Sequence, residues 1–331
     1  MAIIDRILVP TDFSDSSLKA YQFAERVAAK TGGIIDLAHI IPNNVLEDER
    51  LRESFKLTDE TSQPDLQNEV YPLIFNEAEL KLKSIQKKQF SSETRGEIFV
   101  QVDRTPAKAI AEKAWGGNYS MIIMSARGKH ESGWFRGSTT EAVIRSSKVP
   151  VLSVYKDPQK LSNGRIVVPI DGSVLSMAAT PAAAILATTF NAKITYLYVH
   201  EVFGFLGKGV PDKPDDIQQR RTADYLMNRL MDYLDSEKPH RLHVIDTEGL
   251  GLTGLVLNNQ EISIAFEVIS GTSAHHEITT YANEFSDLVV MTTHGRSGLA
   301  HMFLGSHAEK VALNTETSVL TVRPDSKLFE K

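Results

Sequence analysis

Two stretches of the chain have the residue types and spacing to hold a phosphate. Near the C-terminus, Thr293-His294-Gly295-Arg296-Ser297-Gly298 is followed by Gly305-Ser306 at the head of a new helix-like segment. Upstream, a worn copy reads Ala126-Arg127-Gly128-Lys129 and then Gly137-Ser138. Glycines let backbone N–H groups approach an anion closely, and a helix N-terminus adds unpaired N–H donors and a partial positive charge. Ser306-His307-Ala308-Glu309 and Ser138-Thr139-Thr140-Glu141 also have the Ser-x-x-Glu form of a capping box. Each serine therefore has a plain alternative as a helix cap, worth about 1 kcal/mol. Arg296 would neutralise phosphate or lie in solvent, and His294 would bond to phosphate or to the turn backbone. Two aspartates complete the set. Asp12 and Asp171 each follow a short apolar run, where a carboxylate either accepts hydrogen bonds from ribose hydroxyls or caps the next helix.

These residues need a frame that is repeated twice. Arg6-Ile7-Leu8-Val9-Pro10-Thr11-Asp12 matches Arg165-Ile166-Val167-Val168-Pro169-Ile170-Asp171 at an offset of 159. Each is a β-branched run closed by turn residues, which reads as a buried parallel strand leading into an Ala-rich amphipathic helix. In the first of these helices Leu18, Tyr21, Phe23 and Val27 surround an apolar stripe. Further strands are expected at 34–41 and 193–199, 98–102 and 264–269, 121–124 and 288–291, and 149–155 and 318–323. Strands alternating with helices imply right-handed βαβ units and a parallel sheet covered on both faces. If the first and fourth strands of a half are neighbours, the Asp and the glycine loop face one crevice.

The register between the copies locates their differences. His39 matches Tyr198 at the same offset of 159, whereas Met124 and Met291 stand 167 apart and Ser138 and Ser306 stand 168 apart. The second half gained length before its fourth strand, and the expected place is a hairpin-like excursion over 241–260, punctuated by Gly249, Gly251 and Gly254. The first half lost one residue inside its glycine loop and has its own long irregular connection over 42–67. Pro158 to Gly164 reads as a polar, turn-rich linker.

The 331 residues suit two domains, and 42% hydrophobic with 24% charged residues is a globular composition. A net charge of −6 argues against a phosphate-backbone binder, so no nucleic-acid partner is expected. The absence of cysteine excludes disulfides, thiolate metal sites and a thiol nucleophile. The N-terminus lacks the order of a signal peptide, and no apolar run reaches the roughly 18 residues of a membrane span, so a cytoplasmic protein without membrane contact is expected. His240, His243 and the adjacent His275 and His276 offer no persuasive metal-ligand set. Lys81, Lys83, Lys87 and Lys88 read as a solvated helix face. A P-loop, a dinucleotide fingerprint after either first strand and a nucleophile elbow are all missing.

On these motifs the chain resembles a tandem universal stress protein, from Ile7 to Tyr155 and again from Ile166 to Arg323. ATP-binding members of that family carry Gly-x-x-Gly, nine residues, then Gly-Ser or Gly-Thr. Gly295, nine residues and Gly305-Ser306 reproduce the later part, with Thr292 in place of the first glycine. In the first half Ser125 takes that place, only eight residues follow Gly128, and Trp134 and Phe135 bring bulk into the loop. The resemblance implies two Rossmann-like α/β domains of the adenine nucleotide alpha hydrolase type, 1–157 and 164–325. Each would be a five-stranded parallel sheet of order 3-2-1-4-5 with helices on both faces. It implies an adenine nucleotide, ATP or else ADP or AMP, with Mg accompanying it, chiefly in the second domain. There Asp171 would hold ribose, the Val199 backbone would meet adenine, and Gly295, Gly305, Ser306 and His307 would meet phosphates. Pro169, Ile170, Met291, Thr292, His294 and Arg296 would complete the surroundings. The weaker first-domain set is Asp12, Ile40, Gly128, Gly137, Ser138 and Thr139. Pairing of the two halves through strand five is expected, with further homodimerisation as an option. With no residue placed as a general base, hydrolysis is expected to be slow or absent, and a regulator of stress responses is the leading reading. The alternatives are a nucleotide-independent interaction module and a true adenine-nucleotide hydrolase. The hydrolase reading expects a Ser-Gly-Gly-x-Asp-Ser loop, where this chain has Asp12-Phe13-Ser14 and Asp171-Gly172-Ser173.

Overall fold

The computed structural model describes residues 4–43, 71–126, 137–156, 161–202, 215–237, 242–246, 253–293 and 306–324. The apolar runs of the first half form β1 (Arg6–Pro10), β2 (Ile34–Pro42), β3 (Arg95–Asp103), β4 (Met121–Ser125) and β5 (Val151–Val154). The second half contains β6 (Arg165–Ile170), β7 (Lys193–Glu201), β8 (Leu242–Asp246), β9 (Thr253–Leu257), β10 (Gln260–Gly271), β11 (Leu288–Thr292) and β12 (Ser318–Val322). All join one 12-stranded sheet of order β3-β2-β1-β4-β5-β12-β11-β6-β7-β10-β9-β8. Five strands of each half are parallel and follow the order 3-2-1-4-5. Successive residues such as Ile7, Leu8 and Val9 are all buried, because helices cover both faces of the sheet.

The halves meet where β5 lies antiparallel to β12, with Val151 opposite Thr321, Leu152 opposite Leu320 and Ser153 opposite Val319. On one face of this seam the helices Ser17–Thr31 and Thr180–Phe190 come together. The Phe23 and Phe190 rings meet edge-on at 5.7 Å, and Lys30 Nζ donates to the Thr189 carbonyl at 2.8 Å. The core on that face runs through both halves without a break, while the other face carries two separate cores.

Local details depart from the sequence reading in two places. The buried line of the first helix is Ser17, Ala20, Tyr21, Ala24, Val27 and Ala28, with Phe23 at its flank, whereas Leu18 is exposed. Alanines let the helix approach the sheet closely, and Leu18 lies about a third of a turn from their line. The linker is not wholly polar either: Leu161 is buried in the shared core, and Ser162 accepts from Arg26 at 2.6 Å. The excursion of the second half is a hairpin, β8 pairing antiparallel with β9 and β9 with the start of β10. Asn258 and Asn259, at φ 51° and 66°, make the two-residue turn between β9 and β10. The long connection of the first half, 44–67, lies outside the described residues.

Asp36 of β2 anchors the N-terminal ends of the first-half strands. Its fully buried carboxylate accepts from Arg6 Nε at 2.7 Å, Tyr119 OH at 2.7 Å and the Glu97 backbone N–H at 2.6 Å. Gly96 is required beside it, since a Cβ there would collide with Asp36 Oδ1. Asp36→Ala would leave the Tyr119 hydroxyl and the Glu97 N–H without their acceptor and Arg6 with only the exposed Glu97 carboxylate, and should cost about 3 kcal/mol in denaturant unfolding. Burial also disfavours the phenolate and so raises the pKa of Tyr21, Tyr119, Tyr196 and Tyr233, the last pushed up to about 12. The folded chain then holds protons that the unfolded chain releases near the ordinary tyrosine value of about 10. Stability from these groups is present below that pH and declines as pH rises through the folded values. A melting series should show the fall, and Tyr196→Phe should make it shallower.

Candidate functional site

In each half the first strand lies between the second and the fourth, so chain connections leave it toward opposite faces. Ile7 and Leu8 of β1 pair with Met121 and Ile122 of β4, and Ile166 and Val167 of β6 pair with Leu288 and Val289 of β11. A crevice therefore opens beyond the C-terminal ends of these neighbours, the usual ligand position in such a sheet. The condition that the Asp turn and the fourth-strand loop share one end of adjacent strands is met in both halves.

In the second half Pro169 and Ile170 end β6 and are buried, with Asp171 immediately after them. Met291 and Thr292 end β11 and are also buried. The last pair of β6 with β7 is Ile170 with Tyr198, but β7 continues through Val199, His200 and Glu201. The β6-facing backbone edge at Val199 is thus turned to the crevice. Ser306 and His307 open the helix Ser306–Asn314. His294, Gly295, Arg296 and Gly305 lie outside the described residues.

In the first half Asp12 follows β1 and Ile40 lies in β2, while Ser138 and Thr139 open the helix Ser138–Ser146. The Gly137 N–H donates to the Ala126 carbonyl at 2.8 Å, and Thr140 Oγ1 donates to the Ser125 carbonyl at 2.8 Å. Both bonds fix the helix start against the end of β4. Gly128 lies outside the described residues. The cap position read for Ser138 falls one residue earlier. Gly137 occupies the cap position with extended backbone, and the Glu141 carboxylate turns to Arg145 at 2.6 Å. An arginine one turn on offers that carboxylate a charged partner, and the extra glycine displaces serine into the helix.

The two aspartates brace their turns and are not helix caps. Asp12 Oδ1 accepts from the Ser14 N–H at 3.0 Å and from Ser17 Oγ at 3.1 Å. Asp171 Oδ1 accepts from the Ser173 N–H at 2.9 Å, and Ser173 itself caps the short helix Val174–Met177. This is the local bond that aspartate makes in tight turns.

The residue after each aspartate separates the halves, and it was missed in the sequence. Phe13 and Gly172, one repeat offset apart, both adopt left-handed backbone, at φ 62° and 79°. That conformation suits glycine and is unusual for a bulky side chain. The Phe13 ring packs on His39 with centroids 4.3 Å apart, and Lys81 Nζ lies 5.6 Å from the ring centre. His39 Nδ1 is bonded to the Thr11 carbonyl at 2.8 Å, so that nitrogen carries the proton. In the second half Gly172 places no side chain at the equivalent point. The alignment of the two repeats contains this difference, although it does not reveal where the ring goes.

Comparison with known proteins adds family and fold. A sequence model of the universal stress protein family matches residues 4–154 and 162–323. A universal stress protein of Methanocaldococcus jannaschii is 28% identical over 163 residues, covering 49% of this chain and 84% of that protein. The stress response protein NhaX of Bacillus subtilis is 28% identical over 164 residues, covering 48% of this chain and 97% of its own. Among solved structures, a universal stress protein from Archaeoglobus fulgidus superposes with a TM-score of 0.62 at 20% identity, over 97% of this chain and 99% of that one. A functionally unknown protein from Pseudomonas aeruginosa does so with a TM-score of 0.59 at 15% identity, over 98% and 94%. These two structural likenesses concern the fold. Among the described residues no helix is long and apolar enough to cross a membrane, and no group of three or more metal-ligating side chains occurs.

Gly172→Ala should lower stability by about 1 kcal/mol through left-handed strain, with the fold kept; denaturant titration measures this.

Proposed function

The chain belongs to the universal stress protein family, and from that premise we propose that it is a stress-response regulator binding an adenine nucleotide in its second domain. The domains are taken as 1–157 and 164–325. The observation that carries the reading is the contrast at the strand-one turn. Gly172 carries no side chain beside Asp171, whereas the Phe13 ring of the first turn packs onto His39. The Asp171 carboxylate would accept from ribose hydroxyls, and the crevice-facing backbone of Val199 would meet the adenine edge. Pro169, Ile170, Met291 and Thr292 would form the walls. Gly295, Gly305, Ser306 and His307 would receive the phosphates at the start of a helix, with His294 and Arg296 beside them and Mg accompanying the nucleotide. ATP is the preferred ligand in this reading, ahead of ADP and AMP, and occupancy rather than turnover would be the signal.

A second reading, a nucleotide-independent interaction module, is favoured by two features. Phe13 fills the first-domain turn, and Thr292 brings a buried side chain to a position where nucleotide-binding relatives have glycine. Self-association would have to use surfaces other than the strand-five edges, since β5 and β12 already pair with each other.

Equilibrium titration with labelled ATP separates the readings. Wild-type protein should bind, and Gly295→Val combined with Ser306→Ala should weaken binding at least about tenfold, which is 1.4 kcal/mol. Absence of binding by wild type, or undiminished binding by the double variant, favours the interaction module.

A further inference from the structure

The long helix Asp216–Glu237 follows β7 and packs against the short helix Val174–Met177. Its residues Leu226, Leu230, Tyr233 and Leu234 enter the shared core. Arg229, beside them and half-buried, reaches the turn that carries Asp171. Its Nε donates to the Gly172 carbonyl at 3.1 Å, across 57 positions of sequence, and its Nη1 lies 3.5 Å from the Asp232 carboxylate.

The turn also has local bonds. Asp171 Oδ1 accepts from the Ser173 N–H at 2.9 Å, Ser173 Oγ accepts from the Ser176 N–H at 3.1 Å, and the Asp171 N–H donates to Ser176 Oγ at 3.3 Å. These bonds give the turn its shape, and the bond from Arg229 ties it to a helix distant in sequence. Gly172 has no side chain with which to anchor it. The first domain solves the same problem with Phe13, whose ring packs on His39 beneath Lys81 of the helix Tyr71–Gln89. Both domains thus bring a cation from the helix after strand two onto the residue after the aspartate. In the first, an aromatic ring lies between the cation and the sheet residue His39; in the second, the guanidinium bonds to the backbone of a glycine with no side chain.

We propose that Arg229 is a positioning residue of the second-domain site: by holding the Gly172 carbonyl it holds the Asp171 carboxylate where ribose hydroxyls arrive. This rests on the nucleotide reading above. The directional Nε–H bond is specific to arginine, and a lysine ammonium on a flexible stem would reproduce it only in part.

Arg229→Met keeps the aliphatic stem and removes the donor, and Arg229→Lys restores a cation. Both are compared with wild type by titration with ATP and with 2′-deoxy-ATP, and by amide hydrogen exchange at Ser173 and Ser176. Wild type should prefer ATP. Arg229→Met should bind ATP roughly tenfold more weakly, lose most of the preference for the ribose hydroxyl and exchange faster at both amides, with partial recovery in Arg229→Lys. Unchanged affinity and unchanged ribose preference in Arg229→Met, with wild type binding normally, overturn the inference alone. Wild-type protein that binds no ATP overturns the nucleotide reading; faster exchange in Arg229→Met would then still support the tie to the turn, and unchanged exchange would overturn that as well.

Discussion

The pairing of β5 with β12 is the contact on which the rest of the molecule depends. Each half alone would expose the four- or five-residue edge of its last strand, and exposed edges invite uncontrolled pairing. Joining them antiparallel closes both edges at once and turns the strands of the two halves in opposite directions. The two crevices must then open at opposite ends of one sheet. The same contact brings Phe23 against Phe190, so that a single core stabilises both halves on that face. On the other face Arg145 bridges Glu141 of its own helix and Glu309 of the facing one, and Arg323 donates to the Arg145 carbonyl at 3.3 Å. These exposed ion pairs join the two helices but add little stability.

Within that symmetric frame the halves have diverged where a ligand would lie. Both tie a helix after the first strand to the sheet through a buried tyrosine and threonine, with the residue types exchanged between helix and sheet. Tyr21 of the helix bonds to Thr11 after β1, whereas Tyr196 of β7 bonds to Thr180 of the helix at 3.2 Å. Moving the phenol into the sheet leaves Ile170 where the first half has Thr11, so the Phe13 N–H bond to Thr11 Oγ1 has no counterpart at Gly172. One turn is filled by its own ring and the other is held from outside by Arg229. A duplicated fold has in this way kept its scaffold while the turns after its two first strands differ in residues and contacts.

Much of this frame was legible in the sequence because it depends on short-range patterns. The β-branched runs ending in Pro-x-Asp became β1 and β6, and the change in repeat offset located the β8–β9 hairpin. What stayed hidden depends on geometry that spacing does not encode. Leu18 looked like core until the alanines of its helix were seen to set the packing face. Ser138 looked like a cap until Gly137 took the position and Arg145 took Glu141. Arg229 is an ordinary polar residue on a charged helix, and only the fold brings it to Gly172.

If the second domain alone holds nucleotide, each chain takes one. Native mass spectrometry of the intact chain titrated with ATP should then give an adduct that saturates at a single nucleotide; two equal adducts, or none, would overturn the proposal.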